Sequence, residues 1–235
     1  MRKSATLMVA LFLGAVSVFA QDRFDYSGRW NVAVQGGPMF SINENVHSYT
    51  GQGNTKDLFT WQGQIAVGYD FNKAFGVRGA LGYAKNVGAT NYQQTNLAYK
   101  GQRFPYEFKS VTLFGDAILN VNEWAEIDSP FSSKFYAGVG VAETFGFKET
   151  GDHHPWQWDG EVTKKNTPLG IRFGYIGEFD FTNGLGIYVD ISGEGWMDNF
   201  NGLKPNAPDH QGEGYAGFPL DLRAVASFGV IYHFK

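Results

Sequence analysis

The chain has 235 residues, no cysteine and a formal net charge of −4, with no basic patch or stripe. That excludes a disulfide-stapled scaffold and leaves no electrostatic footprint for a nucleic-acid partner. Its 31 glycines and 17% aromatic residues argue against helices, because glycine weakens helix interiors.

In chain order, Arg2 and Lys3 precede an apolar run from Leu7 to Val18. Val18 and Ala20 are the small residues expected three and one positions before a cleavage point. The run is too short and wrongly flanked for a transmembrane helix, so residues 1–20 read as an export signal. Residues 21–235 then form one all-β domain, more acidic once Arg2 and Lys3 are gone.

Eight stretches alternate apolar and polar residues. The first predicted strand runs from Trp30 to Phe40. The second, Phe59 to Phe71, is the clearest: Phe59, Trp61, Ile65, Val67, Tyr69 and Phe71 share one parity, broken only by Gly63. A side-chain period of two gives such a segment one apolar and one polar face. The third is Phe75 to Lys85. The fourth lies between Tyr106 and Val121, where Tyr106, Phe108 and Phe114 fall on the face opposite Val111, Leu113 and Leu119. A bulge near Lys109 would explain that. The rest are Phe135 to about Phe145, Leu169 to Phe181, Leu185 to Trp196, and Leu220 to Phe234.

Tight turns, Asn72-Lys73-Ala74 and Thr182-Asn183-Gly184, join strands two to three and six to seven. The connections after strands one, three, five and seven are long and polar, and Asn122 to Lys134 is intermediate. Long loops at one end and short turns at the other are the pattern of an outer-membrane barrel, with both termini on the short-turn, periplasmic side.

Which face points outward follows from volume and charge. An eight-stranded barrel has an interior just wide enough for side chains, and rings such as Trp61, Phe71 and Phe173 would overfill it. The opposite faces carry small residues (Ala66, Gly68, Ala80, Gly82, Gly170, Gly174) and little lysine. They also carry Arg78, Arg172 and Arg223 alongside Asp116, Glu178, Asp190 and Glu194. Buried charge is tolerated when paired, and the planar arginine fork suits pairing. These seven residues are therefore expected to form one or more ion-pair networks plugging the lumen. Trp30, Tyr69, Phe71, Phe75, Phe179, Phe181, Tyr232 and Phe234 would form an aromatic girdle near the short-turn end.

The layout, the stretch Phe135-Tyr136-Ala137-Gly138-Val139-Gly140-Val141-Ala142 and the final strand resemble the OmpA-type outer-membrane barrels, particularly the small barrels of Bacteroidetes-like bacteria. The resemblance covers nearly all of residues 21–235. It implies an eight-stranded antiparallel up-and-down transmembrane barrel in a Gram-negative outer membrane, surrounded by outer-membrane lipids. Within Ser227-Phe228-Gly229-Val230-Ile231-Tyr232-His233-Phe234, the residues Ser227, Gly229, Tyr232 and Phe234 look like the assembly signal read by the barrel-insertion machinery. The chain departs from that pattern in ending with Lys235. It also lacks the peptidoglycan-binding domain that many OmpA relatives append.

Candidate chemistry sits in the loops. Asp152, His153 and His154 lie beside Trp156 and Trp158, with Asp209 and His210 in the next long loop. His can serve as base or ligand near neutral pH, so these residues offer a surface metal site or an acid/His couple. Solvated loop residues are the plainer reading. No His-x-Ser pattern suggests a lipid A deacylase. The expectation is a non-enzymatic barrel without cofactor, stabilising the envelope or meeting a surface ligand or host partner through its loops. An outer-membrane protease or lipid A-modifying enzyme, and a soluble ligand-binding barrel, are the alternatives.

Overall fold

Each alternating stretch forms a strand, and the strands close on themselves. The computed structural model describes residues 28–42, 59–92, 102–126, 131–149, 165–181, 184–197, 200 and 220–234. In order they form β1 (Arg29–Ile42), β2 (Phe59–Asp70), β3 (Phe75–Tyr92), β4 (Gln102–Asn120), the short helix α1 (Val121–Trp124), β5 (Phe131–Glu149), β6 (Lys165–Asn166), β7 (Leu169–Asp180), β8 (Leu185–Met197) and β9 (Leu220–His233). All pairings are antiparallel. The sheet order is β4-β3-β2-β1-β9-β8-β7-β5-β6, and a β4–β5 pairing closes the ring. β6 and β7 are one stave interrupted at Pro168, which has no N–H to give; its carbonyl accepts from the Ala142 N–H at 2.9 Å. The result is a closed, eight-stranded antiparallel barrel.

The short connections gather at one end. The Asn72 side-chain oxygen accepts from the Ala74 and Phe75 N–H groups, each at 2.9 Å, and pins the β2–β3 turn. Gly184, at φ +84°, lets Phe181 N–H reach the Leu185 carbonyl at 2.7 Å. The intermediate connection holds α1, and Asn122 accepts from Ser133 N–H at 2.8 Å. At the same end, Gly28 N–H bonds Asp70 and Phe234 N–H bonds Trp30, so the first and last strands meet there. Thr182 and Asn183 lie outside the described residues, as do residues 1–20.

At the other end the strands differ in height. β3, β4 and β5 have 18, 19 and 19 residues, against 12 in β2 and 14 in β1. About 9–11 residues suffice to cross a bilayer. Pairing from Tyr92↔Gln102 downward leaves only 93–101 between β3 and β4. The third strand thus runs past Lys85, where alternation in the sequence ends it, because beyond that point residues such as Asn86, Glu107 and Lys109 are polar on both faces.

β4 also differs from expectation. Its even residues from Tyr106 to Asp116 all point inward without a break. The register does shift between Glu107 and Lys109, and the extra residue is in β5, where Gly146 sits at φ +67°. The bulge therefore changes the facing of β5, turning Phe147 toward the inward rings. Tyr106, Phe108 and Phe114 are 1%, 2% and 1% exposed: they are lumenal rings and do not belong to a disturbed outer face.

Outward positions form an apolar belt that includes Val34, Ile65, Leu113, Val139, Phe173, Ile191 and Phe228, all exposed. Rings cluster at the short-turn end: Trp30 with Tyr69 at 5.0 Å, Tyr69 with Phe71 at 5.4 Å, Phe179 with Phe181 at 5.6 Å and Tyr232 with Phe234 at 5.3 Å between centroids. Inside, large rings lie over lumen-facing glycines. A Cβ on Gly229 would meet Tyr188 Cε1 at 2.6 Å, whereas one on Gly193, which faces outward, would meet nothing within 4 Å. Gly229→Val should therefore cost roughly 1–3 kcal/mol by overpacking. Gly193→Ala should leave the barrel unchanged, and the temperature at which the folded gel band disappears reads both.

Candidate functional site: a charged and ring-filled lumen

Alternation drives every second side chain of each strand into a space about one side chain deep. What the strands send there is charge below and rings above, in three tiers.

The middle tier joins six strands. Asp116 on β4 accepts from Arg172 of β7 at both oxygens, Nε at 2.7 Å and Nη2 at 2.5 Å. It also takes Arg78 Nε from β3 at 2.7 Å. Asp190 of β8 accepts from Arg78 Nη1 at 3.2 Å, Gln35 Nε2 at 3.3 Å and the Tyr136 hydroxyl at 2.7 Å. Two arginines thus meet two carboxylates, and all four residues are buried. Arg78 lies over the Tyr136 ring at 4.3 Å and Arg172 over Phe114 at 4.2 Å, so each guanidinium has a carboxylate at its edge and a ring on its face.

Above it, toward the long connections, Arg223 pairs with Glu194 through Nε at 3.0 Å and through Nη2. Its Nη1 donates to Asn86 at 3.0 Å. Trp196 Nε1 donates to the same Glu194 oxygen at 3.1 Å. Rings then close this end. Phe200 stacks on Trp196 at 5.1 Å and meets Phe108 edge-on at 5.7 Å, while Phe147 stacks on Phe108 at 5.0 Å. Arg223 sits 4.8 Å from the Phe200 centroid. Phe200 belongs to the β8–β9 connection and turns back into the barrel, its N–H bonded to Met197.

Below, Glu178 takes Lys134 Nζ at 2.6 Å on one oxygen and shares a 2.7 Å hydrogen bond with His233 Nε2 on the other. Asn31 donates to Asp70 at 3.1 Å nearby. Glu178, Asp180 and His233 bring one ligand atom each within 4.8 Å of one another. Lys134 already neutralises Glu178 through its other oxygen, so a cation there would share that carboxylate with an ammonium. None of the tiers pairs a nucleophile with a base and an orienting group; their chemistry is mutual neutralisation.

Of the seven residues singled out for the lumen, the structure brings Arg78, Asp116, Arg172 and Asp190 together. It pairs Glu194 with Arg223 and places Glu178 apart, with partners of its own. Sequence reasoning missed Lys134, Tyr136, Phe114 and Trp196. Parity held the signal, since Lys134 and Tyr136 lie on the same face as Gly138 and Gly140. Of the last-strand motif, Ser227 is buried, Gly229 lies under Tyr188, and Tyr232 and Phe234 point outward. Asp152, His153, His154, Trp156, Trp158, Asp209 and His210 lie outside the described residues.

No family model matches this sequence, and no curated protein does. Solved structures do. A major outer membrane protein from Thermus thermophilus aligns over 88% of this chain and 99% of its own, with a TM-score of 0.50 at 16% identity. The fold is that of an outer-membrane β-barrel. Neisserial surface protein A aligns over 87% of this chain and 97% of its own (TM-score 0.46, 14% identity). Ail, the attachment invasion locus protein of Yersinia pestis, aligns over 88% and 99% (0.45, 12%).

Proposed function

We propose that this chain is an integral outer-membrane barrel of a Gram-negative bacterium with a sealed interior, serving envelope integrity or surface contact. The observation that carries this is inverted burial. Val139 and Phe228 are each 68% exposed, while Arg172 and Glu194 are each 2% exposed. Water would reverse that order; hydrocarbon outside favours it, and closure of the ring pairs the wall strands with one another rather than with solvent. The ring clusters at the short-turn end mark one membrane interface, which is the periplasmic one by the even strand count.

On this reading residues 1–20 direct export, and Ser227, Gly229, Tyr232 and Phe234 are read by the insertion machinery. The loops carry any surface ligand or host contact. The purified protein should require detergent and migrate faster unheated than boiled on SDS gels. A chain freely soluble without detergent would overturn the proposal. In planar bilayers the wild type should give no steps above background, because stacked rings and neutralised charges fill the bore; steady open-channel conductance would refute the sealed lumen.

A further inference from the structure

Among the described residues, the outward-pointing charge on the strands is confined to one sector. Rising from the apolar belt on β3 to β6, the outward positions include Lys85, Glu107, Lys109, Glu143, Lys148 and Lys165. The outward positions of β1, β2, β7, β8 and β9 carry none. Four lysines against two glutamates make this sector positive on a chain whose net charge is −4.

Two features go beyond an ordinary wet rim. Lys85 and Lys109 are direct partners across the β3–β4 ladder, and Phe145 and Lys165 continue the row. Like charges opposite one another on neighbouring strands repel. Lys85 reaches Glu107 at 2.5 Å and Lys165 reaches Glu143 at 2.9 Å, and Glu107 also lies opposite Lys148 across the ladder, so two carboxylates serve four lysines. Their side chains are open, at 42% for Lys85 and 61% for Lys165.

Beneath this row, on the same wall, lies an apolar groove of about 770 Å³ lined by Leu113, Val141, Leu169, Ile171 and Met197. Gly115 forms part of its floor, and a Cβ there would meet nothing within 4 Å. Lys109 stands four residues above Leu113, about 13 Å along the strand. A cationic row over an apolar trough matches a molecule with an anionic head and a hydrocarbon tail.

Resting on the membrane reading above, we propose that this sector binds one outer-leaflet lipid with a phosphorylated headgroup, its phosphates on Lys85, Lys109 and Lys165 and one acyl chain in the groove. The test is native mass spectrometry of the detergent-folded barrel, titrated with bisphosphorylated lipid A, with the same lipid dephosphorylated, and with inorganic phosphate. Wild type should retain one phosphorylated lipid. A lysine beside an anionic surface contributes about fivefold in affinity, so the Lys85→Gln/Lys109→Gln double variant should bind about 25-fold more weakly. Gly115→Leu, which fills the groove without touching charge, should also weaken retention.

Equal retention of dephosphorylated lipid, displacement by inorganic phosphate at matching concentration, or binding unchanged in both variants would each overturn the proposal. A wild-type barrel with heat-modifiable migration that retains no lipid refutes this site alone. A chain soluble without detergent refutes the membrane reading and this site together.

Discussion

Arg172→Ala should lower the stability of the folded barrel by about 3–5 kcal/mol, the loss expected when one member of a buried charge pair is removed. Asp116 would lose both its 2.5 and 2.7 Å contacts to Arg172 and keep only Arg78, which also has Asp190 to serve. With its side chain fully buried, that carboxylate has no water to turn to. The rings of Phe114 and Tyr136 lose the guanidinium lying against them as well. Urea unfolding from detergent micelles or vesicles, followed by tryptophan fluorescence, measures the change. Arg172→Met separates charge from volume: it refills the space but leaves Asp116 equally deprived, and should recover little of the loss. Unchanged stability in both variants would mean that the middle tier contributes nothing to holding the barrel.

Trp196→Ala is expected to be of similar size, about 3–5 kcal/mol, for a different reason. Trp196 is 0% exposed and lies between Phe114 and Phe200, with Arg223 over its ring. Removing it empties a volume that lumen-facing Gly170 cannot fill and takes one hydrogen bond from Glu194. Its stability change is accompanied by a second readout. Phe200 loses the ring it stacks on, so the closure nearest the long connections loosens, and small-ion conductance in planar bilayers should rise above the wild-type background. A destabilised variant that stays electrically silent would assign closure to the ion-pair tiers instead.

The wall is legible in the sequence because its signal is strictly local. Phe59 through Phe71 alternates with one exception, and β2 covers almost that stretch. The strand count, the tight Asn72 turn and the outward rings follow from the same period of two. The lumenal positions of Arg78, Asp116 and Arg172 are also readable, because parity alone sends them inward. Which carboxylate meets which arginine is not, since it depends on how neighbouring staves are staggered: Arg172 lies in register with Glu194 on β8 yet bonds Asp116, which stands level with it on the far side of β5, over Gly138.

The rings inside escape sequence reasoning for a related reason. A volume argument that treats the barrel as uniformly narrow overlooks that glycine on an adjacent strand makes local room, as Gly140, the ladder partner of Phe114, does for that ring. In the upper part of β3, β4 and β5 the sequence underestimates strand length, because both faces are polar there and alternation carries no contrast.

The pairing of β1 with β9 has a kinetic consequence. Every other seam of the ring joins strands that follow one another along the chain, whereas this one matches Asn31 to His233, from opposite ends. The chain can therefore zip progressively from hairpin to hairpin as an open, curling sheet, but it cannot become a cylinder until its final residues arrive. Loop-closure entropy for that last seam falls due in a single step, after most contacts have formed. Until then two unpaired edges face the surroundings. The time spent in that open form, more than the strength of any one tier, sets how long the nascent protein is exposed to mispairing.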